Sequence, residues 1–232
     1  SIKLNKYISY DLSTSYTRTK SDNLPAQGYG GNNPINSLVA WSGRQINMQT
    51  LKDNWDQKDA NGNYTMYNWN NNYHINPYFN VYMNTNSYQR DRIFGKSSLY
   101  YQPFEWLKFE GRAGVDYYNS DSMEKHYKDL SDWTSGGFEH IIEKNTELNL
   151  DFMASFNKTF GDWNVTAMAG ANYRDVSWSW DKIGATALTV PGVYTIANKS
   201  GDAITSTDHS HKRSNSVYGN LSIGWKNQLY LD

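Results

Sequence analysis

Residues 145–179 read NTELNLDFMASFNKTFGDWNVTAMAGANYRDVSWS, two alternating runs joined at Gly161-Asp162-Trp163. In the first run the even positions Leu148, Leu150, Phe152, Ala154, Phe156 and Phe160 are apolar, interrupted once by Lys158. Between them stand Glu147, Asn149, Asp151, Met153, Ser155, Asn157 and Thr159. In the second run the odd positions Val165, Ala167, Ala169, Ala171 and Tyr173 are apolar. Their neighbours Asn164, Thr166, Gly170, Asn172 and Arg174 are polar or small, with Met168 the exception. A side-chain period of two predicts β-strands with one apolar and one polar face. Both runs exceed the ~5–6 residues usual for a soluble strand and reach the ~9–11 that a tilted strand needs to cross a bilayer. The stretch reads as a transmembrane-type hairpin.

The composition of the 232 residues agrees with that reading. Hydrophobic residues make up 38% and the mean hydropathy is -0.80, below the ~45–50% apolar share of soluble domains. Aromatics nonetheless reach 16%, which argues against disorder, since disordered chains are aromatic-poor. A barrel with a wet interior and aromatic girdles needs only alternate residues to be apolar. An aromatic-rich glycan-binding β-sandwich is the soluble competitor. The net charge of -1 gives no electrostatic basis for nucleic-acid binding or for attraction to an anionic membrane surface. The absence of cysteine excludes a disulfide scaffold and thiolate metal sites and is compatible with export. No apolar run approaches the ~20 residues of a transmembrane helix. No signal peptide opens these residues, so an export signal is expected to lie outside them.

Along the chain, Asn5-Lys6 suggests a tight turn, with residues 1–4 as the tail of an earlier strand. Residues 7–20 alternate Ile8, Tyr10, Leu12, Thr14 and Tyr16 against Ser9, Asp11, Ser13, Ser15 and Thr17. A long Asn-, Gly- and Tyr-rich segment covers about 21–91; within it 51–58 suggests a short helix and Asn61-Gly62 a tight turn. Strands follow at 92–102 and from Leu107, where Phe109, Ala113, Val115 and Tyr117 oppose Lys108, Glu110, Arg112, Asp116 and Tyr118. The turn between them is Pro103-Phe104-Glu105-Trp106. Further long polar segments are expected at about 119–144 and 181–212, with Pro191-Gly192 and Gly201 in the latter. A last strand at 216–225 leads through Lys226-Asn227-Gln228 into residues 229–232.

Connections thus alternate short and long, the pattern of an up-and-down barrel with tight periplasmic turns and long outer loops. Trp106, Trp163 and Trp225 gather at the short-turn edge, where an interfacial aromatic belt belongs. The expected fold class is all-β: one antiparallel up-and-down transmembrane β-barrel domain over 1–232. About six complete strands are fewer than the eight of the smallest known barrels, so the chain is expected to be a fragment of something larger.

Specific stretches carry a family resemblance. They are Asn76-Pro77-Tyr78, Arg90-Asp91-Arg92, the run from Leu107 to Tyr118, the run from Leu188 to Asn198, and Ser216-Val217-Tyr218-Gly219 continuing to Gln228-Leu229-Tyr230-Leu231-Asp232. In order and across essentially the whole chain, they resemble the middle barrel region of SusC/RagA-type TonB-dependent outer-membrane transporters. The resemblance implies a 22-stranded barrel with an N-terminal plug, a TonB-contacting segment and a SusD-type surface lipoprotein acting as a lid. Plug, TonB-contacting segment and carboxy-terminal strands are expected outside these residues. It further implies nutrient uptake, by import of oligosaccharides or peptides across the bacterial outer membrane, without a cofactor. A passive porin or structural barrel is the alternative within membrane proteins; a secreted glycan-binding β-protein is the alternative from another class.

The chemistry-bearing residues are few. Asp59, Asn61 and Asn63 have calcium-loop spacing, but Tyr64 and Asn70 stand where such a loop has Gly and Glu; an Asn-Gly turn is expected. His209 and His211 share a strand face but want a third ligand, so a solvated pair is expected and no metal site. Glu105, Glu110, Asp116 and Asp151 lie among Lys108, Arg112 and Arg174, the makings of a charge-balanced lumen wall rather than a catalytic pair. No nucleophile order or phosphate loop is present; the expectation is no enzyme. The first long segment holds Trp41, Trp55, Tyr64, Tyr67, Trp69, Tyr73, Tyr78 and Tyr82 among amides. Of these Trp41, Trp55, Tyr64, Trp69 and Tyr73 are the candidate substrate-binding residues, because flat rings beside amides bind sugars or peptides. The competing expectation is that they pack the loop or meet the lid. In the hairpin, Leu148, Phe152, Val165 and Ala169 are expected to face lipid and Asp151, Asn157, Asn172 and Arg174 the lumen.

Overall fold

The computed structural model describes residues 2–29, 32–130, 133–226 and 228–231. The turn residue Asn227 and the terminal Ser1 and Asp232 named above lie outside the described residues. Eight strands form one antiparallel sheet, each paired with its neighbour in sequence. They are β1 (Ile2–Lys3), β2 (Ile8–Ser21), β3 (Thr85–Phe104), β4 (Leu107–His126), β5 (Gly137–Phe160), β6 (Trp163–Ala185), β7 (Ala203–Trp225) and β8 (Leu229–Leu231). The hairpin of residues 145–179 lies in β5 and β6, paired without interruption from Phe160↔Trp163 to Phe138↔Ala185.

Register places the alternation of each strand in phase with the next. Leu107 pairs with Phe156, Val115 with Leu148, Phe156 with Ala167 and Ala167 with Leu221. Paired residues share a face, so one face carries a continuous apolar band across the sheet. The other face carries Arg92, Asp116, Asp151, Glu147 and Arg174. Leu148, Phe152, Val165 and Ala169 fall on the first face and Asp151, Asn157, Asn172 and Arg174 on the second, as the alternation predicts. In β6 the band runs ten residue steps, from Trp163 to Tyr173. At ~3.4 Å per residue and a tilt of ~40–45° that is ~25 Å of height, the thickness of an outer-membrane apolar belt. Phe104, Trp106, Phe160, Trp163 and Trp225 rim one margin; Tyr16, Tyr117 and Tyr173 rim the other.

All short turns lie at one end. Glu105-Trp106 joins β3 to β4, and Gly161, at φ 60, turns β5 into β6. Asn5 closes the β1–β2 turn by accepting from the Tyr7 and Ile8 amides at 2.8 and 2.9 Å. The connections at the other end are shorter than the sequence suggests. Segments 119–126 and 137–144, expected within a loop, pair residue by residue from Asn119↔Lys144 to His126↔Gly137. Likewise 85–91 belongs to β3, 181–185 to β6 and 203–212 to β7. The remaining connections are 22–84, 127–136 and 186–202. Hydropathy alternates only where one face is apolar. Beyond the band charged residues such as Glu143 and Asp181 stand beside Ile141, Ile142 and Ile183 on both faces, so backbone pairing continues there without a clean period.

The longest connection holds α1 (Pro34–Trp41), α2 (Met48–Asp53) and α3 (Pro77–Met83). α2 lies slightly ahead of the helix expected at 51–58, and α1 and α3 were not anticipated. Each begins at an asparagine whose side chain accepts amide hydrogens of the first turn: Asn33, Asn47 and Asn76. Pro34 and Pro77 occupy the first helical positions, where a missing N–H costs nothing. Among the described residues the sheet's buried apolar cluster is small, Phe138 of β5 and Ala185 of β6 with Leu188. A second buried apolar cluster joins this connection to the next, where Ile75, Phe79 and Tyr127 pack with Trp55, Tyr64, Met66, Met83 and Leu130.

Candidate functional site

The polar face of the sheet is a wall of matched charges. Arg92 pairs with Asp116, with Nε to Oδ1 at 2.8 Å, and Arg174 holds Glu147 with two contacts of 2.8 and 2.9 Å. Glu110 is buried and lies against Arg112, with Lys108 Nζ at 3.6 Å. Asn172 donates to Asp151 at 2.9 Å, and Lys182 to Glu139 at 2.7 Å. Glu143 accepts from Tyr118 Oη at 2.9 Å, Trp178 Nε1 at 2.7 Å and Ser120 Oγ at 3.4 Å. The solvated pairs Arg92–Asp116 and Arg174–Glu147 contribute only ~0–1 kcal/mol each. Their effect is to fix an alternating pattern of polar groups on the wall. Strand register produces it: Asp116 lies diagonally from Arg92, and Glu147 from Arg174. Of the carboxylates singled out in the sequence, Glu110, Asp116 and Asp151 lie on this wall with their own partners, and Glu105 sits in a turn.

Two ionic clusters stand on the opposite face, just beyond the tyrosine margin of the apolar band. Asp91 meets Arg18 at 2.6 and 3.1 Å and also Tyr16. Asp175 meets Arg213 at 2.5 Å, His211 at 2.8 Å and Tyr173 Oη at 2.9 Å. His209 and His211 are on strand β7 rather than in a loop, and share that face. Among the described residues no three His, Cys, Asp or Glu side chains are grouped to hold a metal. Asp59 accepts amide hydrogens of Asn61 and Asn63, both at 2.9 Å, and Gly62 has φ 82. This is the Asn-Gly turn read from the sequence. Those amides pull the Asp59 carboxyl below its ordinary range, with Asn63 the largest influence.

The five candidate aromatics separate into groups. Trp55 lies 6.3 Å from Tyr64 and 4.7 Å from Tyr82 between ring centres, and both Trp55 and Tyr64 pack on the Ile75–Phe79–Tyr127 cluster. These two give their faces to loop packing. Trp41 and Trp69 both stack on His74, at 6.1 and 4.6 Å, the Trp69 ring only 2° from parallel. Tyr29 meets Trp41 edge-on at 6.1 Å. Tyr73 projects outward, 70% exposed. Sequence reading missed His74, whose stacking joins nearby Trp69 to the distant Trp41.

Burial lowers the His74 pKa from its ordinary value near 6.5. An imidazole with a depressed folded-state value binds fewer protons folded than unfolded, so its contribution is full above pH ~6.5 and is lost as pH falls below that. The Trp41–His74–Trp69 stack is therefore expected to loosen on acidification. An imidazole NMR titration identified by His74→Gln should give a midpoint below 6.5; a midpoint at or above it would contradict the desolvated geometry.

The three long connections form one cap. Tyr127 is its centre, with its amide donating to Asn84 Oδ1 at 2.9 Å and its hydroxyl accepting from the Tyr64 amide at 3.2 Å. Asn76 is fully buried and donates to the carbonyls of Leu51 and Tyr67 at 2.8 and 2.9 Å. Segment 186–202 joins through Leu188, whose amide donates to the Ser135 carbonyl at 3.3 Å and whose side chain packs on Phe138 and Ala185 at the strand ends. Its Tyr194 has a pKa pushed up to about 12 by burial. A cavity of about 480 Å³ lies between segment 23–34 and the outer ends of β3 and β4. Its asparagines are committed to the fold: Asn23 to the Val81 carbonyl at 2.8 Å and Asn80 to that of Asn32 at 2.7 Å.

A sheet of long meander strands, apolar on one face and polar on the other, defines the class: a wall segment of an up-and-down β-barrel. Solved structures share this fold. The RagAB peptide importer in its closed-closed state matches with a TM-score of 0.68 at 15% identity, and a structure of the RagAB peptide transporter with 0.66 at 16%. The importer in its open-open state gives 0.62 at 17%. In each case the match covers 98% of this chain and 25% of the other, so the chain spans about a quarter of the length of the structures it resembles. No family model and no curated protein matches the sequence.

Proposed function

We propose that this chain is part of the barrel of a SusC/RagA-type transporter in the bacterial outer membrane, with a transport rather than a catalytic role. The observation that carries the reading is the two-faced register: a continuous apolar band ~25 Å tall, rimmed by aromatics, backed by a wall of matched charges. The fold likeness to the RagAB peptide importer supports it. The short turns then face the periplasm and the folded cap faces outward. The polar wall lines the path of large polar nutrients, peptides or oligosaccharides. Import is energised through TonB, and a SusD-type lipoprotein closes the cap side. Trp41, Trp69 and Tyr73 are the candidate aromatics left with exposed or stacked faces for solute or lid.

Two measurements test this. The complete protein is expected to require detergent and to migrate differently on a gel when unheated; a monodisperse protein in plain buffer would sink the membrane reading and favour a secreted glycan-binding protein. Uptake by cells should cease when the TonB-contacting segment is deleted. Uptake that survives the deletion would identify a passive porin.

A further inference from the structure

Six arginines lie on the strands, and five are matched to carboxylates: Arg18 to Asp91, Arg92 to Asp116, Arg112 to Glu110, Arg174 to Glu147 and Arg213 to Asp175. Arg90 is the exception among the described residues. It sits on the polar wall, paired with Thr19 and Ser120, just past Ile93, where the apolar band of β3 ends. Its guanidinium lies over the Tyr118 ring at 3.6 Å, and its Nε is buried without a hydrogen-bond partner. Glu143, on the same rung of the ladder, is already occupied by Tyr118, Ser120 and Trp178. The aromatic stack thus fixes the plane of a cation whose fork has no hydrogen-bond acceptor among the described residues, Glu143 and Asp116 acting on it only through space.

A half-buried guanidinium without an acceptor is costly to maintain, whereas its planar fork matches a carboxylate with two parallel hydrogen bonds. We propose that Arg90 is a carboxylate-binding residue for the transported solute, held flat by Tyr118 at the outer mouth of the polar wall. This rests on the transport reading above and narrows its substrate class to solutes bearing a free carboxylate. The carboxylate belongs either to an acidic peptide or to a uronic acid of an oligosaccharide.

The test uses the complete protein in detergent, modified with phenylglyoxal and mapped by mass spectrometry. Arg90 is expected to react faster than the paired Arg92, Arg112 and Arg174. Hexaglutamate or an oligogalacturonate should slow its modification by about fivefold or more, while the amidated peptide and the methyl-esterified sugar should not, since only a carboxylate engages both arms of the fork. Protection by the peptide alone assigns a peptide source, and protection by the sugar alone assigns an acidic glycan. Arg90→Gln should abolish the preference for acid over neutral ligand in direct binding, and Arg90→Lys should restore only part of it. Reactivity no greater than that of the paired arginines would overturn the proposal, because Arg90 would then have a partner elsewhere in the whole protein. Absence of protection by either acid would overturn it as well. These readouts are taken on purified protein, so they stand or fall separately from the uptake assay that tests transport.

Discussion

Ala169→Arg is expected to destabilise the membrane-inserted protein by ~2–4 kcal/mol, the cost of a cation at the midplane of a barrel's lipid face. Ala169 pairs with Ala154 on one side and Gly219 on the other, midway along the apolar band of β6. An arginine there has no partner and no water within the band. Three residues further along the same strand, Asn172→Arg should be tolerated. Asn172 is on the polar face and donates to Asp151 at 2.9 Å, so an arginine there would meet a carboxylate. Folding into bilayers, read as the denaturant midpoint of the heat-modifiable band, distinguishes the two. Equal tolerance at both positions would overturn the membrane assignment of the hairpin.

Tyr127→Ala should open the cap without opening the barrel. The ring contacts Tyr64 and Phe79, with centroids 5.5 and 6.3 Å away. A Cβ placed on Gly192 of the third connection would stand 3.3 Å from Tyr127. Removing a buried aromatic side chain costs ~3–5 kcal/mol, and here one side chain is shared by three segments. Because loops open as local cooperative units, the loss should appear as faster amide exchange and proteolysis within 54–84, with strand protection unchanged. Tyr127→Phe removes only the bond from the Tyr64 amide, worth ~1 kcal/mol, and should leave the cap closed. Undiminished protection in Tyr127→Ala would mean that the other contacts of the cap suffice without it.

The apolar band was legible because a membrane strand writes its environment into alternate residues. Leu148, Phe152 and Val165 against Asp151, Asn157 and Arg174 give both faces without any partner strand. The short turns were legible for a similar local reason: Asn5 and Gly161 meet backbone requirements set within a few residues. The helices α1 and α3 were legible in principle, since Asn33-Pro34 and Asn76-Pro77 are start signals, but lay in a segment read as one polar loop. Strand extensions such as 119–126 were not legible. Ser120, Asp121, Ser122 and Glu124 carry no apolar period, because polar residues stand on both faces of this stretch and only Met123 interrupts them.

The sequence by itself therefore determined the strand type, the two faces and the end at which the turns are tight. These are encoded in residue period and local turn chemistry. Only the tertiary structure decided which charges meet, how far the strands run beyond the band, and which aromatics remain available. Trp55 and Tyr64 look like Trp41 and Tyr73 in sequence, and Arg90 like Arg92. What separates them is contact with residues far along the chain: Tyr127 beside Tyr64, His74 against Trp41, Asp116 against Arg92. Period-two patterning constrains a strand's own faces, but partners across strands and loops follow from register and packing, which no single segment specifies.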